Sequence, residues 1–211
     1  MYSNQSNTLK KRPIFITGIG TEIGKTIVSA VLVEKLQADY WKPVQSGQLD
    51  NSDTMIVQKL ISNKKSVFHQ EAYRLTQPFS PHKSARIDGL LIDPEQIVIP
   101  ETNNQLIIEG AGGLMVPLNK DFLIIDLIKM LDADVVLVSK NYLGSINHTL
   151  MSAAMLKMRD IPIKKIIFNG EQDESSEGFI SNYLTNDCVR IPYFEELNRN
   201  SIHEFVKEFK F

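Results

Sequence analysis

The sequence predicts an α/β fold: a single domain built on a central, mostly parallel sheet with helices on both faces. Three observations point there. Short runs that are apolar throughout recur along the chain, each followed by turn residues and then by a helical pattern. A glycine loop ending in Gly24-Lys25-Thr26 lies between the first such run and the first helical pattern. The chain of 211 residues, 43% hydrophobic and 23% charged, is long enough for one sizeable core, and no linker, repeat or low-complexity tract divides it.

The elements follow in order. Residues 1–12, MYSNQSNTLKKR, are polar and basic with no apolar stretch, so they read as a flexible tail and not as a signal peptide; the domain spans 13–211. PIFIT (13–17) is the first strand, and after the glycine loop a helix is expected over Thr26–Leu36. YWKPV (40–44) reads as the second strand, followed by a helix over Asp53–Ile61. QLIIEG (105–110) and a helix over Phe122–Leu131 come next. DVVLVS (134–139) with a helix over Ser145–Met158, then KKIIFNG (164–170) with a helix over Glu177–Leu184, complete the alternation. Strands covered on both faces are apolar along their whole length, which is what a parallel sheet requires. Ligands bind such sheets beyond the carboxyl ends of the strands, so polar residues just after a strand become candidate site residues.

Charge and composition exclude several classes. A net charge of −2, a pI near 6.1 and the lack of any long Lys/Arg run leave no electrostatic footprint for nucleic acid. No apolar run approaches a membrane span. The single cysteine, Cys188, cannot form an internal disulfide and reads as a small buried apolar side chain. A cytoplasmic protein with small-molecule partners is expected.

The loop IFITGIGTEIGKT, Ile14 to Thr26, is one residue out of register with two nucleotide-binding patterns. A phosphate loop, G-x-x-x-x-G-K-[ST], would need glycine where Ile19 stands; a dinucleotide fingerprint, G-x-G-x-x-G, would need it at Ile23. Gly24-Lys25-Thr26 decides for the phosphate loop, because it supplies a helix N-terminus, a lysine for the terminal phosphates and a hydroxyl for magnesium. A dinucleotide site would instead want an acid after the second strand, where the sequence has Lys42. The fold expected is therefore P-loop NTPase-like.

Magnesium at such a site needs further oxygen ligands. Asp53 is one candidate, though it could equally be the N-cap of its helix. Glu109 is the other: a carboxylate closing an apolar strand, followed by Gly-Ala-Gly-Gly, answers no packing or capping need. Lys42 is either a solvent-pointing lysine at a strand end or a second cation over the phosphates.

The motifs GTEIGKT, KPVQSG, NSD, SPH, EGAGG, LGSINH, FNG and IPYF, in this order, resemble the dethiobiotin synthetase family from Pro13 to about Phe194. In that family the phosphate loop is G-x-x-x-x-x-G-K-T, which accounts for the misregister. The resemblance implies an ATP- and magnesium-dependent cyclo-ligase that joins 7,8-diaminononanoate and carbon dioxide or bicarbonate through a carbamate and a mixed anhydride. It also implies roles. Thr26, Asp53 and Glu109 would hold magnesium; Glu22, Ile23, Gly24, Lys25, Thr26 and Ile27 would wrap the phosphates; Gly110, Ala111 and Gly112 would approach the nucleotide. Lys42, Lys25 and Thr21 would be catalytic, with Ser46, Thr21 and Lys42 at the reacting end of the diamine. Asn169 and Gly170, with Pro192, Tyr193 and Phe194, would form the adenine pocket, although Asn169 before glycine also suits a simple turn. Gly144, Ser145 and Asn147 would take the distant carboxylate from the other subunit of a homodimer; Ser145 as a plain helix cap is the competing reading.

Other residues read as structural. His82 and His148 share no metal-ligand spacing, His69 and His203 look like surface residues, and Met151, Met155 and Met158 suit core or subunit packing. Trp41, Phe79, Gly170 and Arg190 depart from the family pattern. Two rivals remain in view. A partition or cell-division ATPase switch would carry a lysine near Gly20, and an NADP-dependent reductase would need a Tyr-x-x-x-Lys pair, which is missing.

Overall fold

The computed structural model describes residues 11–211. The expected tail, 1–12, lies outside the described residues apart from Lys11 and Arg12, and Arg12 pairs with Asp132 and, at 3.0 Å, with Asp134.

In chain order the elements are β1 (Ile14–Gly18), α1 (Lys25–Leu36), β2 (Asp39–Trp41), β3 (Val44–Ser46), α2 (Asp53–Leu60), β4 (Phe68–His69), β5 (Tyr73–Leu75) and α3 (Pro81–Ile87). They continue with β6 (Leu106–Gly113), α4 (Ile124–Met130), β7 (Asp134–Ser139), α5 (Ser145–Met158), β8 (Ile163–Gly170), α6 (Glu174–Leu184), β9 (Cys188–Pro192) and α7 (Arg199–Glu208). Seven strands form one sheet in the order β4-β2-β6-β1-β7-β8-β9, and every pair is parallel. β3 and β5 pair separately.

Alternate residues of each strand feed two cores. Ile14, Ile16, Ile107, Val136 and Ile167 pack beneath α1, α2 and α7; Phe15, Ile108, Leu137, Ile166 and Phe168 pack beneath α4, α5 and α6. α1 is apolar around most of its circumference because it is enclosed between the sheet and α2 with α7. β1 lies at the centre, so the loop that follows it opens at the middle of the sheet's carboxyl edge.

YWKPV is not one strand. Pro43 has no N–H to give to the ladder, and the chain leaves the main sheet at Lys42 to resume as β3 beside β5. α2 starts at Asp53 as expected, but its cap and the starts of α6 and α4 differ from expectation. Ser52, not Asp53, caps α2 by accepting from the Met55 N–H; Asp173 caps α6 three residues early; the Asp126 carboxylate reaches back to the Leu123 N–H and starts α4 there. β4, β5, β9 and α7 were not anticipated. Cys188 is half-buried, not enclosed.

Candidate active site

The phosphate loop joins β1 to α1. Gly24 adopts φ 89°, a left-handed conformation suited to glycine, and offers no side-chain cap, so the first N–H groups of α1 are free for an anion. Lys25 folds back to donate to the Gly20 carbonyl at 2.9 Å. Burial, then the neighbouring Lys42, lowers its pKa to about 8 against the pull of Glu109 and Asp53. Ile23, where the dinucleotide pattern would need glycine, is a core residue lying over Gly18, where an added Cβ would fall 1.9 Å from its Cδ1. Thr21 and Glu22 are exposed at the loop's rim, and Glu22 has φ 57°. Ile27 turns into the core edge of α1.

Three segments bring a charged cluster to this loop. Lys42 follows β2, Glu109 lies in β6 opposite Ile16, and Asp53 is the first residue of α2. Lys42 Nζ stands 2.6 Å from Asp53 Oδ2 and 3.1 Å from Glu109 Oε1, and donates to the Gly110 carbonyl at 3.1 Å. Thr26 Oγ1 lies 3.2 Å from Asp53 Oδ1 and 2.9 Å from Glu109 Oε1. Glu109 is only 1% exposed, yet its other oxygen accepts from Ser29 at 2.8 Å and Tyr40 at 2.9 Å. Burial disfavours the Lys42 charge, but Glu109 and Asp53 outweigh it and hold its pKa above the ordinary value. Burial likewise opposes ionisation of Asp53, and Lys42 and Thr26 overcome it, so that carboxyl titrates low. Lys42 is therefore an internal cation and not a solvent-pointing one. The Tyr40 hydroxyl is pushed far up by burial and by the two carboxylates, so it stays a donor.

Among the described residues no three His, Cys, Asp or Glu side chains group into a ready-made metal site. The donor set here is two carboxylates and one hydroxyl, which suits a hard cation that takes its remaining ligands from phosphates and water.

On the base side, Asn169 is the penultimate residue of β8 and donates from Nδ2 to the Ile23 carbonyl at 3.1 Å. The contact with the phosphate loop is close: a Cβ on Gly24 would meet that nitrogen at 2.0 Å. Gly170 has φ 98°, and its carbonyl accepts from Arg190 at 2.6 Å, with the same guanidinium on Glu177 at 3.1 Å. Pro192 and Tyr193 are exposed, while Phe194 turns away to pack edge-on against Phe205, ring centroids 5.5 Å apart.

The remaining expected residues are spread along the same edge. Ser46 ends β3 with its hydroxyl buried and without a partner. Gly110, Ala111 and Gly112 lie in the last half of β6, and Gly113 beyond them approaches the phosphate loop, where a Cβ would lie 3.2 Å from the Gly18 carbonyl. Gly144, at φ 101°, begins α5. Ser145 is not a side-chain cap, and its N–H is already given to the Tyr142 carbonyl at 2.9 Å, leaving the next N–H groups as the free donors. Asn147 is exposed, and no hydrogen bond joins the 144–147 segment to the phosphate loop among the described residues. His82 opens α3 and His148 bonds Tyr142; His69 is not a surface residue but packs against Asp39 at 3.4 Å. Of the three methionines only Met155 reaches the core, Met151 and Met158 being exposed. Sequence reasoning passed over Ser29 and Tyr40. Their signal was a hydroxyl placed inside an apolar helix and an apolar strand.

Known proteins similar to this chain give its family. A family model described as an AAA domain matches residues 12–201. The chain is 50% identical over 200 residues to the ATP-dependent dethiobiotin synthetase of Christiangramia forsetii, covering 93% of this chain and 95% of that one. It is 53% identical over 167 residues to the protein of the same name from Cytophaga hutchinsonii, covering 79% and 81%. In fold it is similar to a ParA family ATPase from Chlorobium tepidum, with TM-score 0.56 at 13% identity over 94% of this chain and all of that one. That likeness carries the P-loop NTPase-like architecture alone, while the sequence identities carry the family: the chain belongs to the ATP-dependent dethiobiotin synthetases.

Proposed function

We propose that this chain closes 7,8-diaminononanoate and carbon dioxide to dethiobiotin, with ATP converted to ADP and phosphate. The observation that carries the reading is Lys42, an ammonium held between Asp53 and Glu109 beside Thr26 and the phosphate loop. A lysine so placed faces the region where charge develops when a phosphoryl group passes to an anionic acceptor.

The steps assign work to this chain's residues. One amine takes up carbon dioxide and loses a proton to give a carbamate. Thr21 and the unpartnered Ser46 hydroxyl bind that end of the substrate. The N-terminus of α1 and Lys25 hold the ATP phosphates, and the carbamate oxygen takes the γ-phosphoryl group while Lys42 offsets the negative charge. The second amine then attacks the carbonyl carbon, and phosphate departs. With Nδ2 of Asn169 committed to Ile23, its Oδ1 is the atom left to accept from the adenine amino group. Magnesium held by Thr26, Asp53 and Glu109 would neutralise phosphate charge.

We also propose a homodimer with shared sites, in which Gly144, Ser145 and Asn147 take the substrate carboxylate of the facing subunit. Support comes from the outer face of α5 and α6, where the exposed Met151 and Tyr183 line a groove of about 920 Å³ with Leu150, Ala154 and Leu184. No helix among the described residues is long and apolar enough to cross a membrane, in keeping with a cytoplasmic enzyme.

The experiment is phosphate release with diamine and bicarbonate each supplied or omitted. Release is expected only with both. Steady turnover without the diamine would overturn the synthetase reading in favour of an ATPase switch.

A further inference from the structure

Gln45 lies in β3 with its side chain buried. Its amide bridges two segments: Nε2 donates to the Gly47 carbonyl at 3.0 Å, and Oε1 accepts the Asp53 N–H at 3.3 Å. Both bonds require the same orientation of the amide, because one end can only donate and the other only accept.

Each segment leans on this bridge. Asp53 is the first residue of α2, so its N–H has no partner within the helix, and the Ser52 cap is spent on Met55. Gly47 turns the chain at φ 71°, packed so closely that a Cβ would sit 2.7 Å from Pro78 Cα. Next to these two anchor points stand groups with work to do: the Asp53 carboxylate on Lys42, and the Ser46 hydroxyl, buried without a partner. One neutral side chain thus bridges the helix start that carries the Asp53 carboxylate and the turn that follows the Ser46 hydroxyl.

We infer that Gln45 is a positioning residue that couples Asp53, on the metal side of the site, to the Ser46–Gly47 turn on the diamine side. The inference rests on the proposed function. Its magnitude is that of single buried hydrogen bonds, about fivefold for each effect.

Gln45→Met keeps length and bulk and removes both bonds. In its folded state, checked by far-ultraviolet circular dichroism, it should bind Mn²⁺ in the presence of ATP about fivefold more weakly, with free Mn²⁺ counted by electron paramagnetic resonance. KM for the diamine should rise by a similar factor, while ATP affinity in EDTA stays at the native value. Gln45→Glu keeps an acceptor for the Asp53 N–H and loses the donor to Gly47. It should hold Mn²⁺ within about twofold of the native protein and raise only the KM. Native Mn²⁺ affinity and native KM in folded Gln45→Met would overturn the inference; if that variant does not fold, an unchanged KM in Gln45→Glu does so. Native protein that releases no phosphate in response to diamine and bicarbonate would remove the synthetase reading instead, and the Mn²⁺ measurement would still report whether Gln45 sets Asp53.

Discussion

Replacing Lys42 by methionine removes one charge from between two carboxylates while keeping most of the volume. At an effective dielectric constant of about 20, contacts of 2.6 Å to Asp53 and 3.1 Å to Glu109 correspond to gross attractions of about 5–6 kcal/mol each. Most of that offsets the desolvation of three charges. Glu109 keeps its donors Thr26, Ser29 and Tyr40, and Asp53 is 22% exposed, so water can reach it. The net loss is therefore placed at about 2–4 kcal/mol, below what a wholly enclosed pair would show. Urea unfolding of the metal-free protein measures it. Added Mg²⁺ should then stabilise the variant more than the native protein, because the carboxylates have lost their internal cation. kcat should fall on the order of a hundredfold with ATP affinity nearly kept. Equal urea midpoints for variant and native protein would refute the internal ion pair, and a variant indifferent to Mg²⁺ would refute the two carboxylates as metal ligands.

Lys25, lowered to about 8 by burial and then by Lys42, is charged below that pH and loses its proton as pH rises through it. ATP favours the charged form, so affinity should weaken on the order of tenfold by pH 9, and a calorimetric titration flat from pH 7 to 9 would contradict this. Asn169→Ala should raise KM for ATP about tenfold with kcat near the native value and narrow the preference for ATP over GTP; an unchanged preference would take Asn169 out of the base pocket. Glu34 is lowered to about 2: burial pushes it up, but hydrogen bonds from Ser62 and Asn63 prevail. Its contribution is complete above its ordinary value of 4.5 and disappears as pH falls toward about 2, so Glu34→Gln should flatten the urea midpoint between pH 5 and 2, and an unaltered slope would exclude it.

The main sheet was legible because β1, β6, β7 and β8 are strands of five to eight residues, each built around an apolar run such as LII or VVLV that can be seen against the helices between them. β4 and β5 were not, since two or three residues carry no measurable period. β9 reads Cys-Val-Arg-Ile-Pro; its arginine and terminal proline hide an edge strand. α7 could have been found. Asn198 as cap and Ile202, Phe205, Val206 and Phe209 at helical spacing were present in a segment otherwise too polar to attract notice. In the site, Lys25, Thr26 and Glu109 stood out by type and place, whereas the Gln45 bridge depends on the chain's departure at Pro43; the proline marks the break, but nothing in the sequence tells which segment the chain pairs with beyond it.

The contact between Gly24 and Asn169 links two positions 145 apart in the chain into one inherited unit. A side chain at 24 has no room while the amide at 169 is in place, and shortening 169 removes the brace on Ile23. Position 24 is therefore held to glycine twice over, by its φ of 89° and by the amide at 169, so a smaller residue at 169 does not free it. An engineer who redraws the 169 pocket for another base will at the same time be moving the backbone that grips the phosphates.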